Sequence, residues 1–223
     1  MKTKLFLLLL FYVSMVFGQS KDSTRIIAIT PLSKKIQKVN GLAIGVGMDD
    51  VFSPISKKKT VNGLNIDANP LGIFMWMFYD PSKVNNSNDI LQYNGLNISA
   101  TGFLRDHSHN GLNISLYNYG NKMNGVSLTA IWNIVEEQNG VYLGVLGNSA
   151  ERGNGVTIGA FNEIKEFKGV QIGVMNWSDK MKGLQIGLIN KNKNGKNFQI
   201  GLWNKNEKRS FPIINWNFKK TQS

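Results

Sequence analysis

The stretch that decides the fold is KGVQIGVMN (Lys168–Asn176), followed by KGLQIGLIN (Lys182–Asn190) and KNFQIGLWN (Lys196–Asn204). Each copy starts 14 residues after the last. Working outward, the same unit continues upstream as NGVTIGAFN from Asn154, NGVYLGVLGN from Asn139 and NGVSLTAIWN from Asn124. It persists as NGLNISLYN from Asn110, NGLNISATG from Asn94, NGLNI from Asn62 and NGLAIGVG from Asn40. The motif glycines are 41, 63, 95, 111, 125, 140, 155, 169 and 183, with Asn197 in the tenth place. The spacing is 14 to 16 residues from Gly95 onward, and insertions widen it to 32 and 22 upstream. A fixed period of this kind is the signature of a repeat architecture.

Inside each unit, residues alternate. Val170, Ile172 and Val174 fall on one face of an extended chain, and Gln171, Gly173 and Met175 on the other. Leu184, Ile186 and Leu188 repeat the apolar set, as do Phe198, Ile200 and Leu202. Period-two alternation marks a strand with one apolar face, and the expectation is that this face is buried. The opposite face carries Gly, Ser, Asn or Gln, with a large residue late in the strand: Phe161, Met175, Ile189 or Trp203. An asparagine follows (118, 133, 162, 176, 190, 204), then a polar turn.

Two all-β architectures fit. One is a β-solenoid or β-roll of about ten 14-residue rungs, in which like residues stack and the recurrent asparagines form a corner ladder. The other is an up-and-down outer-membrane β-barrel with one strand per unit. A barrel needs a lipid-facing band about 25 Å tall. Three outward residues at two-residue intervals reach only ~13–20 Å. Barrel loops also tend to alternate in length, whereas six successive spacings here are 14 or 15 residues. The solenoid is preferred. Its weak point is the second wall: Lys191–Lys196 and Asn204–Arg209 hold almost no apolar residues, so Met123, Phe167 and Met181 are the candidates to close it.

The chain has 223 residues, 42% of them apolar, with 23 glycines, no cysteine and two histidines. This suffices for one domain without staples, and it excludes disulfides, thiolate metal sites and cysteine nucleophiles. Lys2 and Lys4 precede the apolar run Leu5–Phe17, and Val16 and Gly18 are small, so residues 1–18 read as a signal peptide cut before Gln19. With no following cysteine, a lipoprotein anchor is excluded. Two of the 26 basic residues lie in that leader, leaving 24 against 14 acidic ones, a net charge of +10. The longest later apolar run, Leu71–Tyr79, is too short to span a bilayer as a helix. The remainder divides into an N-terminal cap (19–39), the repeat domain (40–209) and a C-terminal cap and tail (210–223).

The repeat NG-L/V-x-I-G-x-x-N, closing in PIINWNF (Pro212–Phe218), resembles a glycine-rich surface-repeat family of bacterial envelope proteins over residues 40–218. It departs from that pattern at Asn197, where glycine is usual, and in the insertions before Asn62 and Asn94. The resemblance implies an exported protein of the Gram-negative envelope, in the periplasm, the outer membrane or at the cell surface, with no catalytic residues. The V-x-I-G spacing is also similar to the rungs of trimeric adhesin head domains, which are left-handed β-rolls.

Chemistry-bearing clusters are few. Arg105, Asp106, His107, Ser108, His109 and Asn110 form a cluster with metal-ligand types, but with no third histidine they read as a solvated loop. The adjacent acids Asp49–Asp50 and Glu136–Glu137 read as turns and are not paired for hydrolysis. GLAIGVG at Gly41 has neither the lysine nor the helix of a phosphate loop. Asn97 and Asn113 fit the glycosylation pattern but read as strand residues. No cofactor, metal site, catalytic residue or nucleic-acid partner is expected. The notable charges are Lys180, Lys182, Lys191, Lys193, Lys196, Lys205, Lys208 and Arg209, with Trp177 and Trp203 nearby. On stacked rungs they are expected to form one basic strip contacting an anionic polysaccharide or another envelope component. The leading expectation is therefore a non-enzymatic structural or interaction protein. A membrane barrel acting as pore or anchor, and a polysaccharide-active enzyme on a solenoid, are the alternatives.

Overall fold

A computed structural model of the chain describes residues 23–47, 58–69, 91–100 and 107–218. Nine strands follow: β1 (Thr24–Thr30), β2 (Lys38–Gly45), β3 (Lys59–Asp67), β4 (Leu91–Ser99), β5 (His107–Gly144), β6 (Gly147–Ile158), β7 (Phe161–Asn194), β8 (Asn197–Lys205) and β9 (Ser210–Asn217). They form one sheet in sequence order. Every neighbouring pair from β1 to β8 is parallel. Among the described residues there is no helix. The 38-residue β5 would reach ~125 Å if straight. Instead it coils through more than two turns of the repeat, as does β7. The architecture is a β-solenoid of about ten turns. An up-and-down barrel pairs neighbouring strands antiparallel, so that alternative is overturned.

Register follows the repeat. Asn40 pairs with Asn62, Asn94 and Asn110 in succession, and the motif glycines stack in the same way. A Cβ on Gly169, whose φ is +145°, would lie 1.9 Å from the Gly155 carbonyl oxygen. Only glycine allows the turns to stack this closely at that corner. The departure at Asn197 is absorbed two residues earlier, where Gly195 takes a φ of +113°.

The main correction to the sequence reading concerns polarity. The wall bearing V-x-I-G-V is inside out. Gln171, Gln185 and Gln199 are fully buried, as are Thr157, Ser127, Asn113 and Asn97 at equivalent positions. The apolar partners Ile172, Val174, Leu188 and Leu202 are exposed. The second wall has the expected sense: Ile164, Phe167, Met181 and Met123 point inward and are buried.

In-register stacking explains how a polar interior is tolerated. Turns repeat every ~4.8 Å, so an amide on each turn can donate to the one on a neighbouring turn. Asn118, Asn133, Asn148, Asn162, Asn176, Asn190 and Asn204 form such a buried ladder, donating in chain order at 2.8–3.2 Å. This is the corner ladder the sequence led us to expect. Gln199 donates to Gln185 (2.8 Å) and Gln185 to Gln171 (2.7 Å). Asn65, Asn97 and Asn113 donate in succession through the early turns to Ser127.

The phase of the strand is set by the same ladder. Asn176 also donates to the Ile186 carbonyl. A Cβ on Gly187 would sit 2.6 Å from the Asn176 amide nitrogen. The inward position beside the ladder therefore has no room for a side chain, and the bulky alternate residues are left outside.

At the N-terminal end, β1 stacks parallel on β2, with Leu32 buried beyond it. At the other end, β9 reverses and pairs antiparallel with β8. This covers the last parallel edge with a strand of opposite direction.

Candidate functional site

The outer surface is organised by turn position, because each residue of the repeat becomes a column along the axis. Three apolar columns run side by side on the first wall, typified by Val170, Ile172 and Val174. Val174 and Met175 are both exposed, because the chain turns the corner between them. The large late residues Phe161, Met175, Ile189 and Trp203 thus lie outside, in a fourth apolar column. Between the second and third columns runs a groove of about 880 Å³, floored by Gly144, Gly159, Gly173, Gly187 and Gly201 and closed at one end by Ile213.

Charges border this apolar zone. On one side, Asn40, Asn62, Asn94, Asn110, Asn124, Asn139 and Asn154 form an outer amide ladder, each after Asn40 donating to the asparagine one turn earlier at 2.7–3.0 Å. From Lys168 the same column becomes lysine, continuing as Lys182 and Lys196. On the other side, Lys191 and Lys205 are register partners beyond the aromatic column. The Lys191 Nζ sits 4.1 Å over the Trp177 ring. That contact is a cation–π pair, and it holds the exposed indole against the wall.

The single basic strip expected from sequence thus divides. Lys182 and Lys196 join Lys168 in one column, and Lys191 and Lys205 form another. Lys180 and Lys193 lie on the second wall and are paired, with Glu166 and Asp179 respectively, both at 2.7 Å. Lys208 lies in the exposed bend before β9. Arg209 stacks 4.3 Å over Trp216 and donates through Nε to Asn215. Trp203 is half exposed in the column of Met175 and Ile189.

The second wall carries further turn-to-turn ion pairs: Lys122–Glu137, Arg152–Glu136 and Lys165–Glu151. The hydrogen bond from Lys122 holds the Glu137 carboxyl below its ordinary range. Lys180 does the same to Glu166, and its own ammonium is raised in turn. Glu136 and Glu137 lie within β5, not in a turn, and both are ion-paired.

The histidine cluster differs from the sequence reading. His107, Ser108 and His109 are buried at the start of β5, not solvated. His107 meets Tyr93 edge-on at 6.0 Å. The His109 Nε2 lies 3.2 Å from the Gly95 carbonyl and donates to it. Burial pulls the His109 pKa down to about 4. Among the described residues, no group of three His, Asp or Glu side chains could hold a metal ion. Asn97 and Asn113 are buried strand residues, as expected. Arg105, Asp106, Asp49 and Asp50 lie outside the described residues.

What sequence reasoning missed is the aliphatic wall as an outer surface. The signal was present: Gln171, Gln185 and Gln199 recur at one position, and a side chain that can bond to its own copy is suited to a stacked interior. Compared with protein-family models, with curated proteins and with solved structures, the chain has no match.

Proposed function

We propose that this protein is a non-enzymatic interaction module of the bacterial cell envelope, exported by its leader, which contacts an anionic envelope component through the lysines along its edges. The observation that carries this reading is the column Lys168, Lys182 and Lys196. Three ammonium groups repeat along the axis at ~4.8 Å strand spacing. No ion pair is formed by them among the described residues. Like charges so close repel each other, and a polyanion laid along the column relieves that repulsion. Lys191 and Lys205 offer a second such line, with the half-exposed Trp203 able to stack on a sugar ring. The signal-peptide pattern and the resemblance of the repeat to envelope surface proteins support the location.

The test is retention on immobilised dextran sulfate. The native protein is expected to bind and to elute at raised salt, because exposed charges are screened beyond about 10 Å at 0.1 M. The triple variant Lys168→Gln, Lys182→Gln, Lys196→Gln is expected to elute much earlier. Equal elution of the two proteins overturns the reading.

A further inference from the structure

We infer that the aliphatic wall is a lipid-docking face, and that the solenoid lies side-on against an anionic bilayer. This deepens the preceding reading by naming the partner. It rests on that reading for the lysine edges but not for the wall itself.

Three features converge. First, the wall is apolar along its length. Ile172, Val174, Leu188, Ile200 and Leu202 are 36%, 45%, 51%, 39% and 69% exposed. Ten stacked turns and three columns give a zone of roughly 43 by 13 Å, before the aromatic column is added. A contiguous apolar patch of that size marks an interaction surface. Second, its long edges in the C-terminal half carry lysine and tryptophan, the residues that reach from an apolar boundary to headgroups. Lys168, Lys182 and Lys196 lie on one edge, and Trp177, Lys191 and Lys205 on the other. Third, the ion-paired wall faces away, with its charges already compensated by Lys122–Glu137, Lys165–Glu151, Lys180–Glu166 and Lys193–Asp179. The molecule is thus amphipathic across its short dimension. Surface-seated helices share this design, with an apolar face entering the headgroup boundary by ~5–10 Å and cations at its margins.

A second copy would be a poorer fit. Packing the three columns of two such walls together buries roughly 600 Å² per partner, about 1,200 Å² in total before the aromatic column is added, at the lower end of stable interfaces. It also gives the lysine and tryptophan edges no anionic partner. The glycine-floored groove between two aliphatic columns adds a line along which an acyl chain can lie.

The experiment uses the exported, processed protein with sedimenting vesicles of phosphatidylcholine, with and without an equal part of phosphatidylglycerol. Binding to the mixed vesicles is expected, weakened about tenfold on phosphatidylcholine alone. The double variant Leu188→Asp, Leu202→Asp is expected to lose binding to both. Its β-type circular dichroism should be unchanged, because both side chains are outside. Should it misfold, Leu188→Thr, Leu202→Thr replaces it and is expected to bind measurably less than the native protein. No binding of the native protein to either vesicle overturns the inference. If sedimentation velocity then gives a dimer that the aspartate variant dissociates, the wall closes on a second copy instead. Equal binding to both vesicle types removes the anionic partner and overturns the inference as stated. Dextran sulfate separates this from the preceding reading. Retention without vesicle binding sinks only the lipid face, while vesicle binding without retention sinks only the contact with a soluble polyanion.

Discussion

The two walls of a single turn have opposite polarity. On residues 169–174, aliphatic side chains face out and glutamine faces in. On residues 176–181, the outer positions carry Trp177, Asp179 and Lys180, while Met181 is buried together with Ser178 and the ladder residue Asn176. Alternation is strict on the first wall and slips at Asp179–Lys180 on the second, and in neither does alternation alone say which face is inside. A stacked solenoid has a second way to satisfy polar groups. An amide that meets its own copy one turn away loses water and regains a hydrogen bond, and that makes its burial tolerable. An aliphatic column gains no directional bond from stacking, and in this molecule it lies on the surface, open to another partner.

The comparison breaks most visibly at the ladder. Asn176 accepts from Asn162 and donates to Asn190 and to the Ile186 carbonyl. Asn176→Leu keeps the branching of the side chain but leaves those groups buried without partners. At ~1–3 kcal/mol for each such group, a loss on the order of 4 kcal/mol is expected in denaturant unfolding. A loss below about 1 kcal/mol would mean that the amide interior is not what holds this wall.

A buried histidine sharpens the contrast between interior and surface through pH. His109 has a pKa of about 4 in the folded state against 6.5 as a free side chain. Between those values the unfolded chain binds more protons, so stability is full above pH 6.5 and falls as pH drops towards 4. The contribution at stake is at most about 3.5 kcal/mol, at 1.36 kcal/mol per pKa unit. His109→Gln should flatten the pH dependence of the melting temperature across that window.

The outer wall should behave oppositely to the ladder. Leu202→Thr is expected to change stability by less than about 1 kcal/mol, because the side chain is 69% exposed and buries little. A core-sized loss would mean that Leu202 is packed within the protein after all. The smallest effect is expected on the second wall. The Lys193–Asp179 pair is surface-exposed, so Lys193→Ala should cost less than about 0.5 kcal/mol, and less still in high salt.

Much of this was legible in the sequence. The 14-residue spacing implied one turn per unit, and strict spacing from Gly111 to Asn197 favoured stacking over a barrel. The recurring asparagines pointed to a ladder, and Met123, Phe167 and Met181 were identified as the residues closing the second wall. The charges were less legible. Lys180 and Lys193 look like Lys182 and Lys196 in sequence. Only the fold places Glu166 and Asp179 one turn below the first two.

By itself, then, the sequence determined the period, the strand character, the stacking of like on like and the position of each corner. These follow from local backbone preference and from repetition, both of which can be read along one chain. The tertiary structure alone decided which side of each strand faces in, which lysines are neutralised, and that His107 and His109 are buried. These depend on neighbours one turn away, and on the room left inside a coil whose corner is occupied by asparagine amides. A strand carries two faces with equal right to be the inner one, and the choice is made by what its neighbouring turn can bond to.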